Sequence, residues 1–172
     1  MNWQWNCPTR VIFGWKAVVN NPDALALGKK ALIVCGQGGS AKRSGALDDV
    51  CRALAGSHID WAIYDDVQSN PEVGAVREAA SIAQRERVDF VVGIGGGSPL
   101  DAAKAIAVLA CHSLSDEELF NAQFSSALPL AAVPTTAGTG SEVTQYSILT
   151  YPAINSKKSI ASTLLFPRVA LL

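Results

Sequence analysis

The sequence predicts an α/β fold in which a parallel sheet is covered by helices on both faces. Short apolar runs without polar alternation, such as ALIVC at 31–35 and DFVVGI at 89–94, indicate strands that are buried on both sides. Helical segments separate these runs along the chain, which is typical of the crossovers between parallel strands. We therefore expect a doubly wound or closely related α/β architecture.

Each predicted element follows from the local pattern of side chains. Apolar runs predict strands at 11–13, 31–35, 61–64, 89–94 and 129–133, and a last strand at the end of the chain. The spacing of apolar residues predicts helices over 46–55, from Pro71 and from Pro99. The polar stretch 113–126 carries no predicted element.

The composition limits the possible classes of function. The chain has 172 residues, of which 49% are apolar and 17% charged, enough for one domain with a buried core. Its 14 basic and 15 acidic residues leave no basic excess for nucleic-acid binding. No run reaches the roughly 18 apolar residues of a membrane span, and the N-terminus lacks the apolar segment of a signal peptide. We therefore expect a cytoplasmic protein that binds neither nucleic acid nor membrane.

The cysteines and histidines predict no metal site. The four cysteines, with no CxxC pair among them, are Cys7, Cys35, Cys51 and Cys111. All but Cys7 lie in apolar or helical segments, which predicts buried free thiols. His58 and His112 have no second ligand at metal spacing, so a surface or capping role is favoured for both.

The stretch VVGIGGGSPLDAAKAIA at 91–107 predicts an anion site. A buried strand ends at Ile94, the glycines 95–97 form a turn, and a helix follows. In that helix Ser98 is the expected N-cap, Pro99 the first residue and Asp101 the third. Without side chains, the turn leaves the positive helix end open to a phosphate or pyrophosphate. A tight turn with no ligand is the alternative, and the spacing matches neither GxGxxG nor GxxxxGK[ST].

A second polar loop follows a strand in the same way, in AVPTTAGTGSEVTQYSILT at 132–150. Four hydroxyl groups surround its two glycines, those of Thr135, Thr136, Thr139 and Ser141. In open α/β sheets, ligands bind at the carboxyl ends of the strands. Alone, this loop is equally consistent with a solvated turn, but together with the glycine turn it predicts one wall of a cleft.

The motifs GGGSPLDAAKAIA and PTTAGTGSEVT, in this order and each after a strand, resemble the two signatures of the iron-containing (group III) alcohol dehydrogenases. The likeness extends from PTRVIFG at 8–14, through SNP at 69–71, to LFPRVALL at the end of the chain. In that family a Rossmann-like parallel sheet flanked by helices binds NAD or NADP, and a helical domain supplies one Asp and three His to a metal. The resemblance implies that residues 1–172 are a dinucleotide-binding domain, one half of a two-domain enzyme.

The resemblance also implies roles for individual residues. The residues that it places against the pyrophosphate are Gly95, Gly96, Gly97 and Ser98. It places Asn70 and Asp101 near the nicotinamide half of the cofactor. The residues that it places on the adenosine side are Thr135, Thr136 and Thr139. It implies that Lys157 or Lys158 reaches the ribose.

The sequence also departs from the family pattern. In the family a segment like FPRVALL leads into the helical domain, whereas this sequence ends at Leu172. We therefore expect a truncated or naturally short chain that has no catalytic residues or metal ligands and little activity by itself. In the complete enzyme a divalent metal, Fe or Zn, polarises the oxygen of a small alcohol or aldehyde during hydride transfer. Loss of the helical domain would expose apolar surface, so we expect a homo-oligomer.

Two classes of function remain open. One is a dehydrogenase that is active when complete, and the other is a non-catalytic nucleotide-binding module or remnant. Glycerol dehydrogenases and dehydroquinate synthases have related folds and a similar glycine turn, but the motif PTTAGTGSE favours the alcohol dehydrogenases.

The segment GQGGSAKRSG, after the strand at 31–35, predicts a preference for NADP over NAD. Enzymes that select NAD have an acidic side chain at the end of such a strand, and Gly36 stands there in this sequence. The expected 2′-phosphate pocket consists of Gly38, Gly39, Ser40 and Lys42. Small residues give room there and a cation pairs with the phosphate. The alternative is that Lys42 and Arg43 belong to a solvated face.

Overall fold

Strands and helices alternate through the computed structural model, which describes residues 2–3 and 6–172. The strands are β1 (Arg10–Ile12), β2 (Lys30–Gly36), β3 (Asp60–Val67), β4 (Phe90–Gly95), β5 (Leu130–Pro134), β6 (Tyr146–Tyr151), β7 (Ser156–Ala161) and β8 (Val169–Leu171). The helices are α1 (Ala17–Asn20), α2 (Ser40–Arg43), α3 (Ala46–Gly56), α4 (Val73–Arg85), α5 (Gly97–Leu109) and α6 (Asp116–Asn121). Short 3₁₀ turns cover Pro22–Leu25, Ser141–Val143, Pro152–Ile154 and Thr163–Leu165. Within these residues no helix has both the length and the apolar character needed to cross a membrane.

Six of the strands form one parallel sheet in the order β1, β8, β5, β4, β2, β3. The chain passes from β2 to β3 on one side and then returns to place β4 on the other side of β2. The direction of winding therefore reverses between β2 and β4. In open α/β sheets such a reversal opens a crevice at the carboxyl ends of the two strands.

Helices cover both faces of this sheet, so the predicted α/β class is confirmed. On one face α4 and α5 pack their buried residues Val76, Ala80 and Ile106 against β2 and β4. On the other face α1 and α3 cover the sheet, with Val50 and Leu54 of α3 fully buried. The central strands β2, β4 and β5 lack polar alternation because neither of their faces meets water, whereas most residues of the edge strand β3 are exposed.

Several elements of the structure were not predicted, among them the short helices α1 and α2. The strands β6 and β7 form an antiparallel hairpin outside the main sheet. The sequence analysis placed the end of a polar loop at β6 and no element at β7. The helix α6 lies in the stretch that carried no predicted element. It begins with a capping box in which the Ser115 hydroxyl accepts from the Glu118 amide and the Glu118 carboxylate accepts from the Ser115 amide.

The prediction of buried thiols is correct for Cys35 and wrong for Cys111. Cys35 lies in the central strand β2, where burial raises the pKa of its thiol to about 12. Cys7 and Cys51 are half-buried and Cys111 is exposed. Cys111 follows the carboxyl end of α5, so the apolar periodicity of that helix no longer directs its side chain into the core.

Candidate functional site

The glycine turn (residues 95–97) and the threonine loop (residues 135–145) meet at the carboxyl edge of the sheet. They are neighbours because β4 pairs with β5, with Gly95 opposite Pro134. The Thr135 amide donates to the Gly95 carbonyl at 2.9 Å, which continues the ladder one residue beyond the strand. The two sequence motifs therefore form one surface, as expected for the walls of a cleft.

The helix after the glycine turn begins earlier than the sequence analysis predicted. Gly96, in extended conformation, is the N-cap of α5, and Gly97 is the first helical residue. The expected cap at Ser98 is therefore wrong, and no side chain caps this helix. Because Pro99 needs no hydrogen-bond acceptor, it is tolerated at the third position as well as at the first. The free N–H groups of the first turn lie directly beside the glycines.

Each glycine of the turn is required for a different physical reason. Gly95 has φ of 142°, which disfavours other residues, and a Cβ there would lie 2.8 Å from Pro99 Cγ. Gly96 and Gly97 have ordinary backbone angles but little space. A Cβ on Gly96 would lie 3.1 Å from Thr136 Oγ1, and one on Gly97 would lie 2.8 Å from Thr139 Cγ2. Part of the space that the missing side chains leave is thus taken by the threonine loop.

A cavity of about 190 Å³ opens beside the glycine turn. It is lined by residues from both motifs and from two further segments: Asn70, Pro71, Gly97, Ser98, Asp101, Thr139, Ile148, Thr150 and Lys157. Asn70 has φ of 59°, and its amide N–H donates to Ser98 Oγ at 3.3 Å. The Lys157 ammonium donates to Asn70 Oδ1 at 2.7 Å. Amide, hydroxyl, carboxylate and ammonium groups therefore converge where the helix N–H groups are free.

The positions of Lys158, Thr135 and Thr139 relative to the cavity differ from one another. Lys158 lies away from the cavity, with its ammonium 5.4 Å from the centre of the Phe120 ring and 5.7 Å from that of Tyr151. The side-chain oxygen of Thr135 is buried, and no partner for it was found among the described residues. Thr139, expected on the adenosine side, lines the same cavity as Asn70 and Asp101, which were expected on the nicotinamide side.

Lys104 is a buried residue of the site that the sequence analysis missed. It is 1% exposed, and its ammonium donates to Ser141 Oγ at 2.9 Å. Ser141 in turn donates to Asp101 Oδ1 at 2.6 Å. Burial lowers the pKa of Lys104 to about 8, against the opposing effect of the Asp101 and Glu142 charges. A lone lysine in the otherwise apolar run AAKAIAVLA was the signal for a buried cation.

A smaller cavity, about 40 Å³, lies at the carboxyl end of β2. Its lining includes Gly36, Gly39 and Lys42, three residues from the segment predicted to select the cofactor. Lys42 Nζ lies 3.0 Å from Asp65 Oδ2, and this hydrogen bond and charge raise the pKa of Lys42. The sequence analysis did not consider Asp65, which comes from the neighbouring strand β3.

The described residues form no cluster that fits a metal ion. Over residues 2–3 and 6–172, no three His, Cys, Asp or Glu side chains lie close enough together to hold one. The fit to a dinucleotide is better, because free helix N–H groups, a narrow glycine turn and a polar cavity lie side by side. The described residues therefore offer groups that can bind a dinucleotide.

Comparison with known proteins agrees with the two motifs. The iron-containing alcohol dehydrogenase family matches the chain over residues 8–172. The chain belongs to this family. It is 36% identical to the long-chain primary alcohol dehydrogenase AdhA of Thermoanaerobacter ethanolicus, over 96% of this chain and 43% of that enzyme.

Solved structures of family members have the same fold. The NADH-dependent butanol dehydrogenase A of Thermotoga maritima superposes with a TM-score of 0.90 and 32% identity, covering 98% of this chain and 43% of that one. The sulfoacetaldehyde reductase of Bifidobacterium kashiwanohense, solved in complex with NAD+, superposes with a TM-score of 0.82 and 31% identity. The match covers 99% of this chain and 46% of that one. This chain therefore spans less than half the length of each of these relatives.

Proposed function

We propose that residues 1–172 form the dinucleotide-binding domain of an NAD(P)-dependent, metal-dependent alcohol dehydrogenase. The whole enzyme would interconvert alcohols and aldehydes by hydride transfer. One observation carries the proposal: the glycine turn and the threonine loop pack together around a polar cavity at the N-terminus of α5. That is where open α/β sheets bind nucleotides. A non-catalytic nucleotide-binding module or remnant is the second candidate, favoured by the lack of a metal site among the described residues.

The proposed roles follow the positions of the groups. The amide groups of Gly96, Gly97 and Ser98 bind the pyrophosphate, where the helix dipole favours negative charge. Asn70 and Asp101 face the nicotinamide half across the cavity. Lys157 is the candidate for the ribose contact rather than Lys158, because it lies in the cavity and is held by Asn70.

The roles proposed for the threonine loop differ from one residue to the next. Thr136 and Thr139 lie against the glycines, so they shape the pyrophosphate site from the second wall. Thr135 keeps its proposed place on the adenosine side, where a bound ligand would give its buried hydroxyl oxygen a partner.

The chemistry is divided between this chain and parts of the enzyme outside these residues. When bound, the nicotinamide supplies or accepts the hydride. The residues of this chain bind and orient the dinucleotide and keep water from its buried face. Since no metal-binding cluster lies among residues 2–3 and 6–172, we expect little dehydrogenase activity from these 172 residues by themselves.

A preference for NADP is the finer part of the proposal. Gly36 leaves the end of β2 without a carboxylate, and Lys42 lines the cavity beside it. Asp65 opposes this preference, because its carboxylate already forms an ion pair with the Lys42 ammonium. We propose that Gly38, Gly39, Ser40 and Lys42 surround the 2′-phosphate, with Lys42 exchanging Asp65 for the phosphate when NADP binds.

Calorimetric titration of the chain with NADP and with NAD tests both parts of the proposal. We expect saturable binding of both dinucleotides at one site per chain, with NADP the tighter. If neither dinucleotide binds at millimolar concentration, the proposed function is wrong. If NAD binds as tightly as NADP, the domain assignment stands but the cofactor preference is wrong.

A further inference from the structure

The ammonium group of Lys104 is buried among neutral oxygens. Besides Ser141 Oγ, it donates to Thr144 Oγ1 at 3.3 Å and to the Tyr146 carbonyl at 2.8 Å. These three acceptors match the three N–H groups of an ammonium ion. Burying this charge opposes folding, because the ionised form is poorly solvated in the interior. Stability of the fold therefore does not explain why a lysine stands at this position.

The contacts of Lys104 lead directly to the candidate dinucleotide site. The hydroxyl group of Ser141, the first acceptor, donates a hydrogen bond to Asp101, which lines the cavity. The second oxygen of Asp101 accepts from the Ile148 amide of the hairpin at 3.1 Å. The Ser141 amide also lies 3.3 Å from Thr139 Oγ1, the side chain that packs against Gly97. One buried cation thus connects α5, the threonine loop and the hairpin around the cavity.

The charge of Lys104 determines which way this chain of hydrogen bonds runs. An ammonium ion has no lone pair, so Ser141 Oγ must accept from it and its hydroxyl hydrogen is left for Asp101. A neutral amine has a lone pair that competes with Asp101 for that hydrogen. Asp101 on the same helix and Glu142 on the threonine loop favour the charged form, and the hairpin presents the Tyr146 carbonyl. Since the pKa is about 8, both forms are accessible in solution.

We propose that Lys104 is a positioning residue for the dinucleotide: as an ammonium ion it directs Ser141 to Asp101 and holds the threonine loop against the glycine turn. This inference rests on the proposed dinucleotide binding and adds a pH-dependent control of it. The protonated form is the one that binds, so affinity is full below the pKa of Lys104 and falls as the pH rises through it. Binding near pH 8 is therefore coupled to proton uptake.

Titration calorimetry of the 172-residue chain with NADP, in buffers of different ionisation enthalpy, tests this inference. Between about pH 7 and about pH 9 we expect the affinity to fall about tenfold, with a fraction of a proton taken up per dinucleotide near the midpoint. Lys104→Met should bind about tenfold more weakly at neutral pH and show neither the pH dependence nor the proton uptake. Its melting temperature is measured alongside, because removal of the buried charge raises the stability of the fold whereas loss of the donor to three acceptors lowers it.

Two further variants make the result specific. Ser141→Ala breaks the same chain of hydrogen bonds while keeping the lysine, so it should also lose affinity and the pH dependence. If Lys104→Met does not fold, the result for Ser141→Ala decides the test. Lys30→Met is the matched control: Lys30 pairs with Glu86 at the amino end of β2, away from the site, so binding should not change. Unchanged affinity and pH dependence in both Lys104→Met and Ser141→Ala would overturn the inference alone. Absence of binding by the unchanged chain would overturn the proposed function and this inference with it.

Discussion

Asp65 opposes the charge that a 2′-phosphate would require at the end of β2. Its carboxylate lies 3.0 Å from the Lys42 ammonium, and both side chains are more than half exposed. An exposed pair of this kind is weak, so a phosphate of about two negative charges can compete for the lysine. The cost of that exchange falls on NADP and not on NAD, which carries no 2′-phosphate.

We therefore predict that Asp65→Asn shifts the preference further towards NADP. Removing the carboxylate frees Lys42 and takes away a repulsive charge, so the ratio of NADP to NAD affinity should rise about threefold to tenfold. Lys42→Ala should lower the affinity for NADP and leave that for NAD unchanged. Calorimetric titration of both variants with both dinucleotides measures these ratios. Equal effects of either substitution on NAD and NADP would show that the 2′-phosphate lies elsewhere.

The residues of the candidate site that the sequence alone predicted, before any family resemblance, lie mainly within two continuous motifs. Asn70 and Lys157, which are 87 positions apart, were placed only by family resemblance, and the structure shows them in hydrogen-bond contact. Asp65 gave no such signal, because its partner Lys42 comes from another element. Ser141 was included among the hydroxyl groups of the threonine loop, but its contact with Lys104 of α5 was not predicted. The predicted cap at Ser98 was wrong because proline and serine fit several positions of a first turn.

At the scale of elements, hydrophobic pattern predicted the strands of the main sheet but not the hairpin. The central strands β2, β4 and β5 are buried on both faces and are continuous apolar runs in the sequence, whereas β6 alternates exposed and buried residues. That alternation in YSILTY was available in the sequence but was included in a polar loop. The order of the strands could not be predicted, because it depends on which crossover covers which face.

The packing of α5 against the threonine loop leads to a prediction for Gly97→Ala. Alanine favours a helix over glycine by ~1 kcal/mol, so the substitution suits α5 locally. Its Cβ, however, would meet Thr139 Cγ2 at 2.8 Å, and the threonine loop would have to move. We expect dinucleotide affinity to fall about tenfold or more, since small displacements of binding groups have large effects. Calorimetric titration measures the loss.

Two variants separate this steric effect from a general effect of alanine. Thr139→Ser, introduced into Gly97→Ala, removes the clashing methyl group and should restore part of the affinity. Gly74→Ala is the matched control, because a Cβ at that position in α4 meets nothing within 4 Å. It should raise the unfolding free energy by up to ~1 kcal/mol and leave binding unchanged. Full affinity in Gly97→Ala would mean that the threonine loop does not shape the site.

At the scale of the whole molecule, the reversal of winding between β2 and β4 explains why both cavities lie at one edge. Gly36 ends β2 and Gly95 ends β4, so the segment predicted to select the cofactor and the glycine turn border the same crevice. A Cβ on Gly36 would lie 3.3 Å from Pro99 Cγ, which shows how closely the end of β2 approaches the first turn of α5. One half of a dinucleotide can therefore contact the segment after β2 while the other half contacts the glycine turn.

Exposed aromatic side chains beside the outermost strand β1 lead to a prediction of self-association. Phe13 and Trp15 follow the carboxyl end of β1 and are 84% and 85% exposed, and β1 is an edge strand with Val11 half exposed beside them. Exposed aromatic side chains next to an unpaired strand edge favour association, so we expect sedimentation velocity to show dimers or larger species at about 50 μM. Replacing Phe13 and Trp15 together by serine should weaken association about tenfold or more, because most of that apolar area is lost. Ile154→Ser, an exposed apolar position on the hairpin, should leave association unchanged. A monomer at high concentration would show that this surface is too small to hold two chains together.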